Sequence, residues 1–128
     1  MRWIVAGLAL VATGLAAVAV AQDIPDALAV EWQGKHPCEK LYEDSQIRVA
    51  RCTFPPGAEH VRHKHPAYLT YVLSGGQGEI TTPGGKSASE TRAGQLLESQ
   101  AIEWHAMKNV GQTTIQYLVI EKKYPAKP

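Results

Sequence analysis

Residues 56–75 read PGAEHVRHKHPAYLTYVLSG. A Pro-Gly turn opens the stretch, and YLTYVLS, rich in β-branched and aromatic residues, closes it as a strand that stops at Gly75. Between them stand His60, His63 and His65. In an extended chain the side-chain period is two, so His63 and His65 share one face with Val61, and His60 points the other way. Two imidazoles on one strand face make half of a transition-metal site; the competing reading is a chance pair on an exposed strand. A third imidazole must come from His36 or His105. His105, in IEWHAMKN, follows a turn and precedes the last strands, so an antiparallel neighbour can carry it back to the pair. His36 and His60 are expected as surface or loop histidines.

The pattern around this stretch is strand, turn, strand. IRVARCTF (47–54) alternates, EITT (79–82) lies between the turn chemistry of GGQG and TPGGK, and TTIQYLVIEKKY (113–124) is the last strong strand. Helical periodicity of useful length and internal repeats are absent. Short strands separated by Gly and Pro predict an all-β sandwich or barrel, and at this size one small barrel. Residues 22–39 read as an N-terminal arm, 40–124 as the barrel and 125–128 as a tail.

Residues 1–21, MRWIVAGLALVATGLAAVAVA, have one Arg, an apolar run and a small-residue cleavage site at Ala19-Val20-Ala21, the pattern of a signal peptide. An uncleaved anchor is the competing reading, since the run approaches the roughly 20 residues that span a bilayer. Either way the folded part is expected outside the cytoplasm, periplasmic or secreted, and a cleaved leader leaves it free of the membrane. Residues 22–128 suffice for one domain and carry 12 basic and 12 acidic side chains, a balance that argues against a nucleic-acid partner. The two cysteines, Cys38 and Cys52, lie in CEKLY and IRVARCTF, which read as strands joined by EDSQ and bring them close across a ladder. An oxidising compartment favours a disulfide; two buried free thiols are the alternative, and the lack of C-x-x-C spacing argues against a redox-active pair.

The segment from Gly57 to Gly75 resembles the first motif of the cupin family, G-x5-H-x-H-x3/4-E-x6-G, and GQLLESQAIEWHAMKN (94–109) resembles the second, G-x5-P-x-G-x2-H-x3-N, through Gly94, His105 and Asn109. The resemblance spans about residues 40–122. LYEDSQIRVARCTFPPGAEHVRHKHP and VGQTTIQYLVIEKK are similar to small single-domain cupins of exported type. It implies a six- to eight-stranded antiparallel jelly-roll β-barrel with ligands on its interior, in a family that often assembles as homodimers. It also implies a three-imidazole set, His63, His65 and His105, which some cupins use for a divalent transition metal such as Fe, Mn, Zn, Ni or Cu. Three positions depart from the motifs. Tyr68, followed by Leu69 and Thr70, stands where the glutamate belongs, Gln100 replaces Pro, and Ile102 replaces Gly. A phenol with a pKa near 10 is a poor ligand, so Tyr68 is expected to pack beside the site or hydrogen-bond a bound molecule. Glu98 and Glu103 are candidate substitutes for the missing carboxylate.

Tyr68, Tyr71, Trp104, Met107 and Tyr117 either line the barrel pocket or form ordinary core. Three function classes fit these residues. The first is a metalloenzyme, an oxygenase, isomerase or lyase. The second is a module that binds a small molecule without turnover, and the third is a metal-free structural domain. There is no G-x-S-x-G elbow and no H-E-x-x-H.

Overall fold

Alternation of β-branched and polar residues builds strands here almost throughout. The computed structural model describes residues 22–125, so the leader at 1–21 and the end of the tail lie outside the described residues. Within them are nine strands and no helix. In chain order these are β1 Cys38–Glu43, β2 Ile47–Phe54, β3 Glu59–His65, β4 Tyr68–Ser74, β5 Gly76–Thr82, β6 Gly85–Thr91, β7 Leu96–Ser99, β8 Ile102–Asn109 and β9 Ile115–Lys122. They form a five-stranded sheet in the order β1-β2-β9-β4-β7 and a four-stranded sheet in the order β3-β8-β5-β6, with every strand pair antiparallel. The all-β jelly-roll expectation holds; the strand number exceeds the six to eight expected, with β1 and the four-residue β7 at the two edges of the larger sheet.

One predicted turn is a strand. Gly76, Gln77 and Gly78 belong to β5, and the break before it falls at Gly75. A Cβ on Gly75 would sit 2.0 Å from the Thr91 carbonyl oxygen, so glycine is required there by the close passage of another backbone. Strand β6, GKSASET, escaped a sequence reading because it is polar and mostly exposed, leaving no apolar alternation to detect.

The core lies between the inner faces of the sheets. Phe54, Ile115 and Val72 are at most 1 % exposed, with Met107 and Val119 nearly so. Burying each such side chain stabilises the fold by about 1.5–3 kcal/mol. Cys38 and Cys52 face each other in the β1–β2 register, and their sulfurs lie at disulfide-bonding distance. Closing a loop of 14 residues is worth about 3 kcal/mol in the chain-entropy account. The N-terminal arm does not hang free. It runs beside β3, where Ala27 N–H donates to the Lys64 carbonyl and Lys64 N–H to that of Pro25, and Ala27 and Val30 are buried.

Candidate functional site

The site is built where β3 and β8 pair irregularly. His60 sits opposite Met107 and His63 opposite His105, so three residues on β3 span two on β8. This bulge turns His60 onto the inner face with His63 and His65. All three are buried, His63 completely, which corrects the expectation of a surface His60: strict period-two counting fails where the ladder carries an extra residue. A second irregularity lies between His65, opposite Ile102, and His63, with the extra residue now on β8. It leaves both Ile102 and His105 facing the cavity with two residues between them. His36 lies outside the site, half-exposed and bonded to the Val30 carbonyl.

One nitrogen from each of His63, His65 and His105 falls within 4.8 Å of the others. Two metal bonds of about 2.1 Å span at most about 4.2 Å, so His105 must close slightly on the pair to share an ion with both. The other ring nitrogens decide the chemistry. His63 Nδ1–H donates to the Val61 carbonyl at 2.6 Å, and His65 Nδ1–H donates to Glu121 Oε1 at 2.7 Å. Both Nδ1 atoms face acceptors, which leaves both Nε2 atoms as lone pairs, 3.0 Å apart. In the neutral rings two lone pairs at that distance repel, and either a shared proton or a metal ion between them relieves the repulsion. His60 is different: its Nε2–H is committed to the Ala27 carbonyl at 2.7 Å, and its ring stacks on His63 with centroids 3.5 Å apart.

Burial pushes His63 down to about 2, His105 to about 3 and His60 to about 4, with neighbouring imidazoles adding to the shift in each. All three are therefore neutral near pH 7, the form in which imidazole ligates metals. Behind His65, Glu121 is 2 % exposed and accepts from Arg48 Nε, while another Arg48 nitrogen pairs with Asp26 of the arm at 2.7 Å. Sequence reasoning missed Glu121, Arg48 and Asp26. Their only signal is charge, and Glu121 looks like one more polar residue at the end of a strand.

The carboxylate absent from the first motif is thus matched by one that supports a histidine from behind. Tyr68, at the motif position, does face inward, with its ring centroid 4.4 Å from that of His65; burial pushes its phenol above the usual 10 and keeps it protonated. A cavity of about 460 Å³ opens beside the histidines, lined by Tyr68, Tyr117 and Met107 among others. Two aromatic residues proposed for it lie elsewhere. Tyr71, 39 % exposed, is on the outer face of β4 because Tyr68, Thr70 and Val72 take the inner one, and Trp104, next to His105, carries the Arg62 guanidinium 4.5 Å over its ring. Glu98 pairs with Lys122 and is exposed, as is Glu103, so neither replaces the motif carboxylate.

The motif glycines have backbone reasons. Gly57 and Gly94 adopt φ of +82° and +87°, the left-handed region, where the turns into β3 and β7 require glycine.

A family model described as Cupin domain, Cupin_2, matches residues 50–121. No curated protein matches the sequence. Among solved structures, a cupin domain from Bordetella pertussis Tohama I aligns with TM-score 0.65 and 22 % identity over 81 % of this chain and 100 % of its own. A double-stranded β-helix protein from Klebsiella pneumoniae aligns with TM-score 0.59 and 19 % identity over 78 % of this chain and 87 % of its own. A polyketide cyclase from Streptomyces resistomycificus aligns with TM-score 0.55 and 18 % identity over 68 % and 64 %. These likenesses concern the fold.

Proposed function

The chain belongs to the cupin family, and on that premise we propose that it is an exported protein holding one divalent transition metal through His63, His65 and His105, beside a cavity that binds a small organic molecule. The observation that carries this reading is the pair of Nε2 atoms facing each other at 3.0 Å, each ring held by a hydrogen bond at its Nδ1. When bound, a metal in a three-imidazole set supplies a Lewis acid with open coordination positions. The chain's own residues do the rest. Glu121 and the Val61 carbonyl hold the two rings in the ligating tautomer, Arg48 holds Glu121 in place, and Tyr68 offers a phenolic hydrogen bond beside the site.

Binding without turnover is the second reading, favoured by the cavity's titratable groups. Its tyrosines Tyr68 and Tyr117 are pushed above 10 and His60 down to about 4, so none of these three exchanges protons readily near pH 7. Export is supported by the apolar first 21 residues and the bonded cysteine pair, which suits an oxidising compartment. A homodimer through the outer face of the five-stranded sheet completes the reading, supported by the exposure of Tyr71, Leu73 and Leu96 there.

The test is elemental analysis of residues 22–128, purified without tag or chelator, beside the His63→Ala/His105→Ala double variant. About one metal per chain, lost in the variant, is expected. No metal in the parent protein after reloading with Fe, Mn, Zn, Ni and Cu overturns the proposal.

A further inference from the structure

The N-terminal arm meets the histidine site from behind at three points. Its backbone pairs with Lys64, the residue between His63 and His65: Lys64 N–H donates to the Pro25 carbonyl at 2.9 Å, and Ala27 N–H donates to the Lys64 carbonyl at 3.2 Å. The Ala27 carbonyl accepts from His60, whose ring stacks on His63. Asp26 stands between Pro25 and Ala27; its Oδ2 accepts from Arg48 at 2.7 Å and its Oδ1 from Leu28 N–H at 2.9 Å. The planar Arg48 guanidinium thus joins two carboxylates, that of Asp26 and that of Glu121, which accepts from His65 Nδ1–H at 2.7 Å. The Asp26 side chain is 41 % exposed, and an ion pair that open to water adds little to stability. Its effect on geometry is larger, because a guanidinium clamped from both sides is held against swinging outward with Glu121.

We propose that Asp26 is a positioning residue of the histidine site: through Arg48 and Glu121 it fixes the His65 ring in the orientation that shares an ion with His63 and His105. This rests on the reading of the three histidines as a metal site. The arm is then a working part of that site, although it supplies no ligand. Loss of the Asp26 charge leaves Arg48 bonded to Glu121 alone, and metal affinity falls because the His65 ring must be ordered at the moment of binding.

The test titrates residues 22–128 with Co(II), whose visible bands report its coordination geometry, against a competing chelator. Asp26→Asn keeps an oxygen for Leu28 N–H and removes the charge. Its affinity is expected to fall roughly 5- to 10-fold, at or below the loss typical of a direct partner of a ligating ring, with altered bands. Asp26→Glu restores the carboxylate and is expected to recover affinity to within about twofold of the parent. Val30→Ala loosens the same arm at a buried position outside this set of side-chain bonds. It is expected to lower stability in urea unfolding and to leave affinity and bands unchanged. Asp26→Asn with affinity within about twofold of the parent and the same bands overturns the proposal. An equal loss of affinity in Val30→Ala also overturns it and makes the arm a structural element alone. A parent protein that binds neither Co(II) nor any of Fe, Mn, Zn, Ni and Cu overturns the metal reading itself, and this proposal with it.

Discussion

Strand β8 carries His105 and Asn109 into the barrel four residues apart, and the polar groups around them are resolved in opposite ways. Asn109 is 1 % exposed and closed on itself: its Nδ2 donates to the carbonyls of Phe54 and Thr113, both at 2.8 Å, and its Oδ1 accepts from Gly111 N–H at 3.0 Å. Its backbone also bonds Gly57 and Ala58, tying the end of β8 to the turn that leads into β3. Around His105 the outer nitrogens of His63 and His65 are equally well matched, but their inner nitrogens face each other across 3.0 Å. Buried polar groups that close within the protein hold the fold together; groups left facing one another call for a third party. Both residues come from the same motif, and only the surroundings distinguish the structural one from the proposed ligand.

The contrast breaks most sharply by exchanging the damage. His105→Ala is expected to abolish stoichiometric metal binding with the fold retained. Asn109→Ala is expected to keep the metal and lose about 2–3 kcal/mol of stability, since it strands the buried Phe54 carbonyl and the partly buried partners at Thr113 and Gly111. Metal titration and urea unfolding of both variants read the two effects, and metal loss in folded Asn109→Ala would erase the distinction. Next in size, Glu121→Gln keeps the shape but weakens the carboxylate support of His65. Metal affinity is expected to fall roughly 10- to 100-fold, measured by competition with a chelator; an unchanged affinity would make Glu121 purely structural.

Acid should probe the same neutral histidines in the metal-free protein. His60 has a folded pKa of about 4 against 6.5 when unfolded, so between those values the unfolded chain binds more protons. The stability it contributes is whole above pH 6.5 and is lost as pH falls toward 4, by about 3 kcal/mol at most. His60→Gln should reduce the slope of unfolding free energy against pH over that window, leaving the share due to His63 and His105, and an unaltered slope would show that His60 contributes none of it. The smallest expected effect is away from the barrel interior. Leu96→Glu, 61 % exposed on β7, should convert a dimer to a monomer in sedimentation while changing monomer stability by about 0.5 kcal/mol or less; a parent protein that sediments as a monomer at all concentrations removes the dimer from the reading.

Much of the fold was legible because its signals are local. Period-two alternation marked β2 and β9, Pro-Gly marked the turn before β3, and the two motif glycines sit where left-handed backbone leaves little choice of residue. The same local logic misplaced His60, because a bulge depends on how β3 pairs with β8, more than forty residues on, and one extra residue reverses which side chains face inward. It also left Trp104 and Tyr71 as pocket residues, although each neighbours a residue that takes the inner face.

By itself the sequence determined the class of fold, which rests on composition and periodicity, and put His63 and His65 on one strand face; the resemblance to the two cupin motifs added His105, and the cysteine pairing stayed open between a disulfide and free thiols. Only the tertiary structure decided which ring nitrogens point at one another and what stands behind them. His65 and Glu121 are 56 residues apart, Arg48 and Glu121 73, and Arg48 and Asp26 22, yet they form one connected polar set that runs from the buried Glu121 out to the half-exposed Asp26. Such a set arises from strand order and register. A charge can be kept out of water only where distant strands deliver its counter-charge, and that delivery is a property of the folded barrel.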